Sequence, residues 1–236
     1  MTAVAEVAEV AGRLSRVRDR IAEAGGDPAA VTVVAVTKGF GANAVEAALA
    51  AGVADVGESY AQELAAKAEA LAARAVGLAV RWHFVGRVQT NKVARVAPLV
   101  EVWQSVDRMP LIRRLGQCSA PARVLVQVNV SGEPGKGGCA PADAPALVVE
   151  ARRNGLEVSG LMAVGRAGPP EGARPGFRRL RELADGLELT ERSMGMSGDL
   201  EVAVEEGSTM VRVGEALFGP RPTPAAAGHA VAGVRK

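Results

Sequence analysis

The chain has 236 residues, of which 48% are hydrophobic and only 3% aromatic, so its core must be built from valine, leucine and alanine. The formal net charge is +2 and the basic residues are scattered, which excludes the concentrated basic surface of a nucleic-acid-binding protein. Glutamates interrupt the first residues where a signal peptide needs an apolar segment, and no apolar run reaches the roughly 20 residues of a membrane span, so we expect a cytoplasmic protein.

Apolar residues recur at helical spacing over residues 3–24, and the sequence GGDP then ends this first helix. The first strand that follows is an apolar, β-branched run, and seven more predicted strands alternate with helical segments after it. The strands are predicted at residues 31–38, 53–58, 81–85, 100–106, 123–130, 156–163, 187–193 and 209–213. The helices are predicted at residues 43–51 after an Asn43 cap, 60–74, 89–97, 107–117 after an Asp107 cap, a segment ending at 154, 177–183, 199–206 and a short turn around 217.

Strands that alternate with helices favour a parallel sheet, and eight such units close into a (β/α)8 TIM barrel. We therefore expect an α/β protein with one barrel domain over residues 1–220, preceded by an extra N-terminal helix. Residues 221–236 are rich in alanine, glycine and proline and are predicted to be a disordered tail.

The first predicted strand, VTVVAVT, ends at Lys38, and glycines follow at once. In barrels of this kind ligands bind at the carboxyl ends of the strands. A lysine that is partly shielded from water can keep its amine unprotonated and form a Schiff base with an aldehyde. The alternative is a lysine whose stem lies along the strand end while its charge stays in water.

Small and hydroxyl-bearing residues surround the last two predicted strands, which lie beside the first strand in a closed barrel. They are Ser193, Met194 and Ser197 after the seventh strand, and Thr209 and Gly214 around the eighth. Loops after strands seven and eight commonly bind phosphate in such barrels. Each of these residues alone is typical of an ordinary helix cap or turn. Together with Lys38 they indicate a pocket for a phosphorylated aldehyde, and pyridoxal 5′-phosphate (PLP) is the candidate cofactor.

Strand alternation places Arg212 on the same side of its strand as Gly214, and Lys38 on the same side as Val36 and Val34. An inward arginine near a pyridine nitrogen cannot give up its proton, so it would keep that nitrogen unprotonated. The ring would then be a poor electron sink. The competing interpretation of Arg212 is a surface ion pair.

Several motifs are long enough to indicate a family. They are VAVTKGF, VGESYAQE, WHFVGRVQTNK, SVDR, LVQVNVSGEPGKGG, GLMAVG and SMGMSGDLEVAVEEGSTMVRVGEALFG. Over residues 13–220 the chain resembles the YggS/PROSC family of pyridoxal phosphate homeostasis proteins, whose barrel is similar to the barrel domain of alanine racemase.

This resemblance implies that Lys38 carries PLP as a Schiff base and that Arg212 faces the pyridine nitrogen. It also implies that Ser193, Met194, Ser197, Thr209 and Gly214 surround the phosphate and ring, and that His83 and Asn91 lie near the mouth. From its residue type alone, without the family resemblance, His83 is interpreted as a core histidine with satisfied hydrogen bonds. Ser59 departs from the family pattern, which has asparagine there, so a contact from this position would be weaker.

The resemblance implies a protein that holds and delivers PLP, with apo PLP-dependent enzymes as recipients, in a monomer. A racemase needs a base on each face of the substrate, and the opposite base of the related enzyme comes from a second domain. We therefore expect no dedicated catalysis. A weak amino-acid racemase and a Schiff-base aldolase remain as alternatives.

Two features stay open at this point. Lys136, in the loop SGEPGKGG, is a solvated loop lysine or a transient acceptor of the aldehyde during PLP transfer. Cys118 and Cys139 lack metal-ligand spacing and are expected to be ordinary free thiols.

Overall fold

A computed structural model describes residues 3–74 and 80–220. Eight parallel strands form one closed barrel in sequence order, with the last strand beside the first. The strands are β1 (Thr32–Val36), β2 (Asp55–Glu58), β3 (Arg81–Phe84), β4 (Val100–Val106), β5 (Arg123–Gln127), β6 (Glu157–Met162), β7 (Glu191–Ser193) and β8 (Met210–Val213). The predicted (β/α)8 barrel is confirmed.

Helices connect the strands on the outside of the barrel, and α1 precedes the first strand. They are α1 (Ala3–Glu23), α2 (Ala42–Ala50), α3 (Ala61–Ala73), α4 (Val93–Val96), α5 (Met109–Ser119), α6 (Ala144–Arg153), α7 (Arg174–Gly186), α8 (Leu200–Glu205) and α9 (Glu215–Phe218). Short 3-10 turns at Thr90–Lys92, Pro141–Asp143 and Pro170–Ala173 lead into α4, α6 and α7.

Barrel closure depends on the pairing of β1 with β8, in which Val34 lies opposite Arg212 and Ala35 opposite Val213. Because side chains alternate along a strand, Val34 and Met210 point into the barrel and pack with Val102, Leu125 and Met162. The register therefore brings the carboxyl ends of β1 and β8 to the same side of the barrel mouth.

The outward side chains of β1 and β8 pack under α1. Val33, Ala35, Val211 and Val213 lie in one apolar cluster with Leu14, Val17 and Ile21 of that helix. The remaining strands share a larger cluster with α3 to α8, around the buried side chains of Trp103, Phe84 and Phe177. The extra helix thus covers the seam at which the barrel closes.

Some predicted boundaries are wrong, and each has a local cause. Asn43 does not cap α2, because Gly41 precedes the helix in an extended conformation and its carbonyl accepts the N–H of Ala44. Asp107 does not cap α5, because its carboxylate pairs with Arg108, the residue that precedes the helix.

The fifth strand ends at Gln127 instead of at residue 130. The chain folds back after it, so that Cys139 bridges Val128 and donates its N–H to the carbonyl of Gln127. The seventh strand is shorter than predicted and is limited to Glu191–Ser193. The predicted disordered tail, residues 221–236, lies outside the described residues. In the described ranges, no helix combines the length and apolar character needed to span a bilayer.

Candidate functional site

A cavity of about 580 Å³ opens at the carboxyl ends of the strands. Its lining comes from the segments that follow β1, β2, β3, β6, β7 and β8, and it includes Lys38, Ser59, Ser197, Gly198, Arg212 and Gly214. Two cationic side chains and several small residues thus share one concave site at the edge where barrel proteins bind ligands.

Arg212 reaches the cavity from inside the barrel and is almost completely buried, with 5% of its surface exposed. Its Nη1 donates to the carbonyl of Ser193 (2.8 Å) and to the Oγ of Ser193 (2.7 Å), and its Nη2 donates to the carbonyl of Ala163 (2.7 Å). Burial lowers the pKa of Arg212 to about 10. The guanidinium therefore stays charged at neutral pH and is held in one orientation.

The loops after β7 and β8 are tied together at the cavity. The Oγ of Ser197 accepts the N–H of Ala216 (3.2 Å), and the carbonyl of Ser197 accepts a bond from Arg20 of α1 (2.9 Å). A Cβ on Gly214 would lie 3.0 Å from the carbonyl oxygen of Val36. A side chain there would press on this backbone, because the end of β8 approaches the end of β1 closely. The result is a fixed wall of small residues beside Lys38.

The backbone on either side of Lys38 is anchored by a cluster of the buried Thr37, Glu58 and Lys67 and the partly exposed Glu63. Lys67 donates to the carbonyl of Thr37 (2.6 Å) and forms an ion pair with Glu58, which also accepts the hydroxyl of Thr37 (2.8 Å). Glu63 accepts the N–H of Gly39 (2.9 Å). Burial raises the pKa of Glu58, and the hydrogen bonds from Lys67 and Thr37 oppose that rise.

Sequence reasoning missed this cluster, although it left a signal. Lys67 lies three residues after Leu64 and four before Leu71, and both leucines are buried on the inner face of α3. A lysine on an apolar helix face needs a buried partner, and a carboxylate at the end of a neighbouring strand is the natural one.

Ser193 and Met194 lie beneath or behind the cavity instead of lining it. Ser193 is fully buried in β7, and its hydroxyl donates to the Oε1 of Gln104 (2.7 Å) while it accepts from Arg212. Met194 is fully buried in the apolar cluster between the strands and the outer helices. Ser193 therefore reaches the site through Arg212, and the Met194 side chain points away from it.

Thr209 lies at the opposite end of the barrel from Lys38, which corrects its assignment to the cofactor site. It precedes β8, where its carbonyl accepts the N–H of Thr32 (2.9 Å) and its hydroxyl accepts the N–H of Arg192 (2.9 Å). The strand Met210–Val213 separates it from Gly214, a distance of roughly 16 Å at the rise of a parallel strand. A residue before a parallel strand cannot share the mouth with residues that follow the strands.

His83 is buried inside the barrel on β3 and does not line the cavity. Its Nε2 lies 2.9 Å from the Oδ1 of Asp55, and its Nδ1 lies 2.7 Å from the Nε2 of Gln104. Asn91 is exposed in the turn before α4. His83 is thus a hydrogen-bonded core histidine, as its residue type suggests without the family.

Tyr60 and Lys136 lie near the mouth but not on the cavity wall. The chain's single tyrosine, Tyr60, is 61% exposed and lines a smaller recess with Arg87 and Lys92. Lys136 forms an ion pair with Glu133 and donates to the carbonyl of Gly165 (2.6 Å). Among the described side chains, no cluster of His, Cys, Asp and Glu could hold a metal ion.

The parallel eight-stranded barrel, preceded by a helix, places the chain in a known class of protein. A model of that class, the alanine racemase N-terminal domain, matches residues 8–222. The alanine racemase of Corynebacterium glutamicum shares this fold at 17% identity and a TM-score of 0.68, over 93% of this chain and 62% of that chain.

The chain belongs to the pyridoxal phosphate homeostasis protein family. It is 44% identical over 230 residues to a "Pyridoxal phosphate homeostasis protein" of Pseudomonas aeruginosa, covering 94% of this chain and 97% of the relative. The solved structure of PipY from Synechococcus elongatus with PLP bound is 30% identical, with a TM-score of 0.75, over 89% of this chain and all of that one.

Proposed function

We propose that this protein holds PLP in the cavity at the barrel mouth through Lys38, and that it stores and releases the cofactor instead of using it for catalysis. The observation that carries the proposal is the meeting of Lys38 and Arg212 in one cavity at the seam between β1 and β8. When bound, PLP supplies an aldehyde that a lysine amine captures reversibly as a Schiff base.

The residues around the cavity fit the three parts of this cofactor. Lys38 supplies the amine for the aldehyde. Ser197, Gly198 and Gly214 supply a hydroxyl and closely approachable backbone for the phosphate. Arg212 supplies a fixed donor for the ring nitrogen, because its other hydrogen bonds hold the guanidinium in place.

The family relatives support the same assignment. The Pseudomonas aeruginosa relative carries the name of a pyridoxal phosphate homeostasis protein, and the PipY structure contains PLP. The family model matches residues 8–222, a range that includes every residue lining the cavity.

The character of Arg212 supports a carrier over a catalyst. An arginine can donate to the ring nitrogen but cannot give that nitrogen a proton, so the ring draws electrons weakly. A racemase also needs a second base opposite the lysine. Tyr60, the chain's single tyrosine, lies in the adjoining recess, and the ionisable groups on the cavity wall are Lys38, Arg212 and Glu215.

The carrier proposal extends to partners. The recipients are apo forms of PLP-dependent enzymes, which take up the released cofactor, and the carrier acts as a monomer in the cytoplasm. Release into a recipient requires an accessible mouth, and the half-buried Lys38 in an open cavity meets that requirement.

A transfer assay separates the carrier from a racemase. The purified protein is loaded with PLP, freed of excess cofactor and mixed with an apo PLP-dependent enzyme, whose activity reports transfer. The same sample is incubated with L-alanine, and D-alanine is measured. We expect transfer without racemisation. Racemisation at rates typical of enzymes, roughly 1 s⁻¹ or more, would make the protein a catalyst. A protein that stays colourless with PLP would reopen the aldolase alternative.

A further inference from the structure

Four buried polar side chains and the partly buried Asp55 form a continuous hydrogen-bonded chain through the barrel, from the cavity to its other end. The chain runs from Arg212 on β8 to Ser193 on β7, Gln104 on β4, His83 on β3 and Asp55 on β2. Gln104 and Ser193 are fully buried, and His83 is 1% exposed. The proposed function assigns a direct role only to Arg212, at the cavity end.

The direction of every bond in this chain can be assigned. The Nε2 of Gln104 lies 3.1 Å from the sulfur of Met210, which can only accept, so the amide nitrogen faces Met210 and His83. The amide nitrogen therefore donates to the Nδ1 of His83. The proton of His83 is then on Nε2, where Asp55 accepts it.

The same orientation of the Gln104 amide fixes the directions of the hydrogen bonds between Gln104, Ser193 and Arg212. The amide oxygen of Gln104 must accept, so Ser193 donates its proton to Gln104. The lone pairs of Ser193 are then left to accept from Arg212, at 2.7 Å. Each donor thus points away from the cavity and toward Asp55.

The hydrogen-bonded chain ends, on the side away from the cavity, at the charged carboxylate of Asp55. Burial alone would raise the pKa of Asp55, but the hydrogen bonds from His83 and Arg81 outweigh it and hold that pKa well below its usual range. Asp55 therefore stays ionised as a strong acceptor. Its charge favours the proton position on His83 that the rest of the chain requires.

We infer that Gln104 and His83 are positioning residues that orient Ser193 as an acceptor and so fix the guanidinium of Arg212 toward the cofactor. This inference rests on the proposed function. A barrel interior filled with apolar side chains would need no such chain, and a buried polar network is stabilising only when all its members are satisfied. In the described residues no buried side-chain nitrogen or oxygen lacks a partner.

The test is a double-mutant cycle on PLP affinity. Gln104→Met keeps the approximate volume but removes the hydrogen bonds to Ser193 and His83, and Arg212→Met removes the group that is positioned. We expect Gln104→Met to raise the dissociation constant of PLP about tenfold, the loss of roughly 1.4 kcal/mol that one or two hydrogen bonds supply. In the Arg212→Met background, the same Gln104 substitution should change the dissociation constant less than twofold, because its effect passes through Arg212.

Two further variants keep the test decisive. Ser193→Ala removes the oriented acceptor with a smaller change in the core, and it should weaken PLP binding like Gln104→Met and shift the visible absorption band of bound PLP. Ser193→Thr keeps a hydroxyl and should restore the binding. Urea unfolding of each apo protein measures the change in stability separately.

The outcomes distinguish the inference from the function on which it rests. A wild-type protein that shows no visible band with PLP would overturn the proposed function. A wild-type protein that binds PLP, with Gln104→Met and Ser193→Ala binding equally well, would overturn the inference alone. The inference would also fail if Gln104→Met weakened binding as much in the Arg212→Met background as in the wild type.

Discussion

Arg212 and Lys38 differ in how firmly the protein holds them. Arg212 donates three hydrogen bonds within the barrel and has a single available orientation. Lys38 lies in a turn after β1, half-buried, with its backbone anchored through Thr37 and Gly39. A fixed arginine and a lysine in an accessible turn suit a site that binds its ligand in one orientation and still lets it leave.

Cys139 gives a test of burial at the scale of one residue. Burial raises the pKa of the Cys139 thiol to about 11 from its usual value near 9.0, and Asp143 adds to the rise. The reactive thiolate should therefore be about a hundredfold scarcer than in an exposed cysteine near neutral pH. With Ellman's reagent at pH 8, we expect Cys139 to react only after unfolding.

Variants that keep only one cysteine show which thiol reacts with Ellman's reagent. Cys118→Ser should abolish any rapid reaction of the native protein, because Cys118 is only half-buried. Cys139→Ser should leave that rapid reaction unchanged, and both thiols of the wild type should react in denaturant. Rapid labelling of Cys139 in the native protein would contradict the burial described here.

The site could be predicted in part from single residues. The end of an apolar strand indicated Lys38, and alternation indicated that Arg212 and Gly214 face the same side. Thr209 was misplaced because residues before and after a parallel strand lie at opposite ends, about one strand length apart. Gln104 could not be assigned, since its role depends on two partners, Ser193 and His83, that only closure of the barrel brings together.

At the scale of elements, the buried pair of Lys67 and Glu58 joins α3 to β2 and the end of β1. Lys67→Met leaves the carboxylate of Glu58 buried without its cation, and we expect a loss of about 3–5 kcal/mol in the free energy of unfolding. Urea denaturation near pH 8 measures it. Lys67→Met with Glu58→Gln removes both charges and should be more stable than Lys67→Met alone.

The same variant has a predictable dependence on pH. Burial raises the pKa of Glu58, and the loss of Lys67 removes an interaction that opposed this rise. The folded protein then binds a proton more tightly than the unfolded chain. The free energy of unfolding therefore falls as pH rises from the ordinary pKa of a glutamate to the raised pKa of Glu58. The defect of Lys67→Met should accordingly be smaller at pH 5 than at pH 8. A defect that grew on acidification would contradict this account.

Gly160 tests how closely β6 and β7 pack. A Cβ at this position would lie 2.1 Å from the carbonyl oxygen of Glu191, on the paired strand. Because backbone cannot yield as a side chain does, we expect Gly160→Ala to cost about 2–3 kcal/mol in the free energy of unfolding.

Gly12 provides the matched control for the same substitution. It lies exposed within α1, and a Cβ there meets nothing within 4 Å. Gly12→Ala should raise the free energy of unfolding by up to about 1 kcal/mol through helix propensity. Equal effects of the two substitutions in thermal or urea unfolding would refute the close approach of β6 and β7.

Element types were predictable where the apolar pattern was regular, and boundaries were not. The segments of all eight strands were predicted, most clearly the β-branched run of β1, and α1 follows from its helical spacing. The end of β5 depends on the bridge between Val128 and Cys139, a contact between segments of a returning loop. The starts of α2 and α5 depend on Gly41 and Arg108, whose conformations the sequence pattern does not specify.

At the scale of the whole molecule, closure of the barrel creates the site. Lys38 and Arg212 come from opposite ends of the sequence and meet because β1 pairs with β8. The helix α1 packs over that seam, and Arg20 on it binds the Ser197 carbonyl and pairs with Glu201 (2.6 Å). The N-terminal helix therefore supports both the barrel and the wall of the cavity.

Lys38 is the residue that we propose to capture the cofactor. The most direct measurement is to load the purified protein with PLP, reduce it with borohydride, digest it and locate the labelled lysine by mass spectrometry. We predict one label on Lys38, a yellow protein before reduction, and no visible band in Lys38→Ala, whereas Lys92→Ala keeps both the colour and the label. A label on Lys136, or labels spread over several lysines in the wild type, would contradict the account.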